Sequence, residues 1–380
     1  MTAAVSIALA LALGSGDVEV GLRAEGWTRT ADPPVREDAT SAELVAAPHL
    51  RLRLLGPDLT FTATYQPRMS APDVLSRTRV NVVHDAQLRA ELVGVPVWHL
   101  AAFASGVHGQ TDLISESRRS SADSESIVTV ATLRYRHAQA GLTLEGHPDP
   151  RTAVTLTSGW FYESGEAQGT AEALPTQRGV QAVASLGRNV SRRDVLGLSV
   201  SARGAHLVED RTSAFLRAVA TWRHSATRTL QWWAGAGAVG TYFEDRVDVE
   251  RGIHAAGELG LAHELPSQHL SEELRTALEA AINRTTGEVA PELRGSASAS
   301  WAPAARWSLS GRGAVAFRQE DAGDSRRSTL ELRAHRELGR RVALELGLYG
   351  LWQRGSGVID LDEFGTVVAF AFDTVPLTWR

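Results

Sequence analysis

From Asp17 onward the chain alternates apolar and polar residues one at a time, in segment after segment, and this period of two restricts it to β-structure. Val18, Val20, Leu22 and Ala24 alternate with Glu19, Gly21, Arg23 and Glu25. Leu50, Leu52 and Leu54 alternate with Arg51 and Arg53, and Ala86, Leu88, Ala90 and Leu92 with Gln87, Arg89 and Glu91. Near the other end, Leu330, Leu332 and Ala334 alternate with Glu331, Arg333 and His335, and Val342, Leu344, Leu346 and Leu348 with Ala343, Glu345, Gly347 and Tyr349. Successive side chains on a strand point to opposite faces, so each segment carries one apolar and one polar face.

Two kinds of connection take turns between the segments. Short ones include Gly56-Pro57-Asp58, Pro148-Asp149-Pro150, Ala302-Pro303-Ala304 and Gly339-Arg340. Longer, polar or acidic ones run over Thr30 to Ala42, Gly109 to Glu125, Ser164 to Gln177, Glu244 to Glu250 and Gln319 to Ser325. The rhythm predicts about eighteen strands, or sixteen if one pair is miscounted, near 17–28, 44–55, 58–68, 77–92, 95–108, 126–141, 152–164, 177–189, 195–208, 212–224, 229–243, 250–264, 271–286, 289–302, 305–318, 326–337, 340–354 and 361–373. No linker or composition shift divides 17–380, which reads as a single domain. The segment 271–282 is ambiguous, because Leu270, Leu274, Leu278 and Ile282 also recur at helical spacing. Its position between two hairpin partners favours a strand.

Alternation alone also suits a soluble sandwich or propeller. The polar face, however, carries full charges in mid-strand: Arg89, Glu91, Arg134, Arg136, Arg203, Arg217, Glu258, Arg275, Glu279, Arg312, Glu331, Arg333 and Glu345. The apolar face is light where a packed core needs bulk, as at Ala182, Ala184, Ala202, Ala234, Ala236 and Ala238. Lipid accepts such small residues without leaving a cavity. The tryptophans gather at strand ends: Trp98, Trp222, Trp232, Trp233, Trp301 and Trp307 by short turns, and Trp27, Trp160 and Trp352 by long connections. Two bands of Trp match the aromatic girdles of a membrane barrel, where amphipathic rings favour the headgroup zone.

The organisation over 17–380 therefore resembles bacterial outer-membrane β-barrel proteins of the porin-like type. The resemblance implies an all-β, antiparallel, up-and-down transmembrane barrel. It also implies outer-membrane lipid and lipopolysaccharide as surroundings, and insertion by the barrel-assembly machinery. On this register Arg51, Arg53, Arg89, Glu91, Arg134, Arg136, Arg203, Glu258, Arg275, Glu279, Arg312, Glu331, Arg333 and Glu345 line the lumen. The last strand of such proteins commonly ends in an aromatic residue; here Phe364, Val368, Phe370 and Phe372 fit that strand, but Asp373 to Arg380 follow, with Trp379 next to last.

The N-terminus is expected to be a secretory leader spanning 1–16. Ala3 to Leu13 is an apolar run too short to span a bilayer as a helix, and Gly14-Ser15-Gly16 supplies small residues for cleavage. A buried N-terminal helix or strand is the alternative. The leader lacks a basic segment, which a start codon upstream of the assigned one would explain.

The chain offers little chemistry of other kinds. With Cys 0 it holds no disulfide framework or thiolate-ligated metal. A net charge of −5 argues against a nucleic-acid partner. All basic residues are Arg, which suits crowded charge networks better than Lys. No phosphate-binding glycine loop, H-E-x-x-H or G-x-S-x-G is present, and the twelve His lack compact metal spacing, so no enzyme, metal or cofactor is expected. The acidic runs, Glu209-Asp210, Glu244-Asp245, Glu320-Asp321 and Asp360 with Asp362, fall on the long-loop side. They read as solvated loops, as cation bridges to anionic lipid or as a cation-attracting vestibule. Three functions fit: an open channel for polar or charged solutes, the barrel of a polysaccharide exporter served by periplasmic partners, or a closed structural or adhesion barrel. Oligomeric state is not encoded in this pattern.

Overall fold

The computed structural model describes residues 15–32, 40–71, 80–92, 97–112, 132–167, 174–207, 210–283, 287–320, 323–355 and 360–379. The expected leader lies outside them apart from Ser15 and Gly16, which already belong to the first strand. The strands in chain order are β1 (Ser15–Asp32), β2 (Thr40–Leu55), β3 (Leu59–Tyr65), β4 (Arg68–Ala71), β5 (Asn81–Leu92), β6 (Trp98–Asp112), β7 (Thr132–Asp149), β8 (Thr152–Ala167), β9 (Leu174–Asn189) and β10 (Asp194–Leu207). They continue as β11 (Arg211–Ser225), β12 (Leu230–Glu244), β13 (Val249–Leu265), β14 (Leu270–Ile282), β15 (Val289–Ala304), β16 (Trp307–Glu320), β17 (Gly323–Glu337), β18 (Val342–Gly355), β19 (Leu361–Asp373) and β20 (Leu377–Trp379). The segment 271–282 is thus a strand, held in antiparallel ladders by β13 and β15.

Neighbouring wall positions pair antiparallel throughout, and β1 closes the sheet against β19. Two wall positions are shared. β3 and β4 both pair with β2 and β5, because Pro67 has no N–H for the ladder and breaks one strand into two. β20 resumes the line of β19 after Pro376 and pairs with β1 at Gly16–Val18, so the backbone of Trp379 joins the closing seam. The result is a closed antiparallel barrel of eighteen wall positions. Closure removes the open edges that a large flat sheet would present.

Register sorts the two faces. The outward face carries Leu142, Leu196, Leu259, Leu332, Leu346, Phe364, Val368 and Phe370, all exposed, and the inward face carries the charges. This inversion of a soluble core is what a lipid-facing surface requires. Trp98, Trp160, Trp222, Trp232, Trp301, Trp307 and Trp352 lie on the outward face. Trp98 lies flat over Gly146, where any side chain would collide with its ring. Two other tryptophans depart from the expected girdle. Trp27 faces inward, its indole N–H donating to Glu25 at 2.7 Å and its ring edge-on to Tyr349. Trp233 also faces inward, over Gly260 and under the Arg223 guanidinium. In both cases a polar partner inside the lumen outweighs the headgroup zone.

The β12–β13 connection shows how a tight turn forms on the long-loop side. Asp245 accepts the backbone N–H groups of Val247 and Asp248 at 2.8 and 2.7 Å, and these bonds, Val247's first, hold its carboxyl below the usual range.

Candidate functional site: the lumen wall

The inward face forms three tiers between the short turns and the long loops. In the short-turn tier the charges stay accessible and pair loosely along the wall. Arg275 donates to Glu258 at 2.8 Å, Arg51 lies 4.0 Å from Glu19, and Arg89 bonds Glu91. Arg53 stands opposite Asp17 in the register, and Arg312 opposite Glu331.

The middle tier is a belt that crosses four wall positions. Glu25 bonds Arg23, which reaches Glu345 at 3.3 Å; Glu345 accepts from Arg333 at 2.7 Å, and Arg333 also bonds Glu331. Arg23 on β1 can reach Glu345 on β18 because at this level the inward face of the intervening β19 presents only the small side chains Ala369 and Ala371. Charge-assisted bonds to Glu25 and Glu345 offset the cost of taking the Arg23 guanidinium out of water.

In the long-loop tier Glu292, Arg318, Glu163 and Glu363 are buried on the inward face, with Arg294 and Glu279 partly exposed. Glu292, 1% exposed, accepts from Arg318 at 2.9 Å and from Arg294 at 2.7 Å, and Arg294 also reaches Glu279 at 3.2 Å. Glu163 accepts from Tyr135 and from Gln177, each at 2.7 Å, and Glu363 accepts from Tyr349 at 2.8 Å. Arg203 stacks 4.6 Å from the Phe161 ring centre. Its neighbour Arg217 is buried, with Nε and Nη2 lacking hydrogen-bond partners among the described residues.

By register, twelve of the fourteen residues expected in the lumen stand on the inward face of the sheet. Arg134 and Arg136 do not: the ladder of β7 turns Leu133, Tyr135 and His137 inward and these two arginines outward. Their end of the strand lies by the long loops, where outward charge meets headgroups and water, while the Tyr135 hydroxyl finds Glu163 inside. Sequence reasoning missed Arg23, Glu25, Glu163, Glu292, Arg318 and Glu363. Each stands at an inward position of the alternation, but several lie near strand ends, where the period is hardest to read. Among the described residues no three His, Asp or Glu gather as metal ligands. Glu209 and Asp321 of the acidic runs lie outside the described residues.

No protein-family model matches the sequence, and no curated protein matches it. Solved structures do share the fold. OccAB3 of Acinetobacter baumannii superposes with a TM-score of 0.50 at 10% identity over 94% of this chain and 99% of that one. OpdO of Pseudomonas aeruginosa gives 0.51 at 10% identity over 96% and 98%. The apoprotein form of the FrpB iron transporter of Neisseria meningitidis gives 0.59 at 8% identity, covering 92% of this chain and 64% of the transporter, so the chain spans less than two thirds of its length. The shared feature is the outer-membrane β-barrel fold.

Proposed function

We propose that the chain is a bacterial outer-membrane channel that passes polar or charged solutes through its Arg/Glu-lined lumen. The observation that carries this reading is the closed barrel of eighteen wall positions with an apolar outer face and a charged inner face. A barrel of this strand number encloses a lumen wider than its own side chains fill. A rim of outward arginines near the long loops, Arg134, Arg136, Arg178, Arg251 and Arg326, suits anionic headgroups such as those of lipopolysaccharide. Fixed charge on the wall then sets ion preference.

Planar-bilayer recording of the purified, heat-modifiable protein tests the reading. Steady ion conductance is expected, shifting towards cations when Arg275 and Arg312 are both changed to Ser. A silent bilayer from folded protein would overturn it. The buried long-loop tier favours one alternative under that result, a closed structural or adhesion barrel.

A further inference from the structure

β13 and β14 pair only from Leu265↔Leu270 to Gly257↔Leu278. Above Gly257, β13 continues from Val249 to Ala256, laddered to β12 on one edge but to no described strand on the other. Ile253, outward on that open stretch, is 85% exposed, against 43% for Leu261 lower on the same face, where β14 is in place. β15 keeps its ladder to β16 up to Glu292↔Arg318, but beyond Leu278 on β14 and Glu292 on β15 the described ends of the hairpin have left the wall and lie inside the barrel. Ile282 packs with Phe161, Ala205 and Leu207 on the inner faces of β8 and β10. Ala280 packs with Val219, Val239 and Ala256, and Phe215 and Val289 join both clusters. Ser213 Oγ donates to the Gly287 carbonyl and ties the hairpin to β11.

The sequence of this hairpin suits a second seat. Ala280 and Ile282 continue the outward series Leu274, Thr276, Leu278. Extending the β13–β14 register places Ala280 opposite Ala255 and Ile282 opposite Ile253, both outward and apolar, with Glu279 inward. The apolar face buried in the tucked position would meet lipid in the wall, and lipid is as apolar as that core. Each seat satisfies what the other leaves open. Tucking leaves the β13 edge unpaired at Ile253 and Ala255, below the outward Arg251–Tyr242 stack that marks the top of the apolar band. Unpaired backbone is disfavoured there. Tucking also covers Arg217, which sits between Phe215 and Val219 on the inward face of β11 and has unpartnered guanidinium nitrogens.

We infer that the β14–β15 hairpin is a gate with two seats: tucked against the inner wall of β10–β13, where it narrows the lumen, and in the wall beside β13, where it opens it. The effect on permeation rests on the channel reading; the movement does not.

The absence of cysteine allows a clean test. β10 and β13 stand three wall positions apart, roughly 14 Å at the spacing of paired strands. A disulfide needs Cα atoms within about 7 Å, so a thiol introduced in place of the Ile282 side chain cannot bridge to both strands from one seat. Leu207→Cys/Ile282→Cys should lock the tucked seat and Ile253→Cys/Ile282→Cys the wall seat, each in folded, heat-modifiable protein. The wall-locked form is expected to conduct several-fold more than the tucked form, and reduction should abolish the difference. If the tucked pair bridges while the wall pair stays reduced in folded protein, the hairpin is fixed and the inference fails. If both bridge but conduct equally, the hairpin moves without gating and the inference fails while the channel reading stands. Silence in every form would overturn the channel reading and the gate's effect on it, leaving the bridged wall pair as proof of movement alone. Hydrogen exchange of the unmutated protein gives a second readout: 253–256, the stretch that 279–282 would cover, should show protected and open populations, and a single open population would overturn the inference.

Discussion

The two ends of the lumen are written in the same alternating code and behave differently. Near the short turns, Arg51, Arg89 and Arg275 are half exposed, and their pairs with Glu19, Glu91 and Glu258 are wetted. Near the long loops, Glu292, Arg318, Glu163 and Glu363 are nearly sealed; Glu292 and Glu163 each accept from two partners, and Glu363 accepts from Tyr349. An exposed pair contributes about 0–1 kcal/mol, because water and salt screen it. A sealed pair contributes little against an apolar replacement, but breaking it strands a charge out of water. The wall is therefore tuned for field at one end and for close packing at the other.

The sharpest way to break this contrast is Arg318→Ala. It removes one of the two guanidinium groups on sealed Glu292 and should lower stability by about 3 kcal/mol, read as denaturant unfolding of the detergent-solubilised barrel. Replacing both partners, Arg318→Met with Glu292→Met, should restore most of that loss; a double variant as unstable as the single one would count against the sealed-pair description. Next in size is the lipid face. Leu332→Arg or Leu346→Arg should cost about 2–4 kcal/mol near the midplane, and Arg333→Lys on the lumen face much less. Equal defects would mean that the register is off by one residue, since such a slip exchanges every face. The smallest expected effect is Arg51→Ser in the wet tier, within about 1 kcal/mol in stability.

Much of this architecture was legible in the chain. Strand count, hairpin rhythm and lipid face follow from the period of two, because a wall strand has apolar lipid on one side along most of its length. The reading weakened where that contrast fades. At the long-loop end of β7 the alternation persists but its sense is reversed: Leu133 and Tyr135 pack inward with Val107, and Arg134 and Arg136 point outward beyond the apolar band. Trp27 and Trp233 were misplaced because a strand-end tryptophan suits a girdle or a polar partner inside the lumen equally well. The tucked hairpin left its trace in inward-facing Phe215, Val219 and Val239. Apolar residues on the lumen face need something to pack against, and only the three-dimensional arrangement identifies the hairpin as their partner.

Single-cysteine labelling in the cysteine-free chain measures the two ends directly. Ser298 faces the lumen in the short-turn half and is exposed; Ser325 faces it in the long-loop half and is buried. In folded protein Ser298→Cys is expected to react with a water-soluble thiol reagent at least ten times faster than Ser325→Cys, and unfolding should bring the two rates together. Equal rates in the folded barrel would contradict a lumen wall whose side chains are wetted near the short turns and packed away near the long loops.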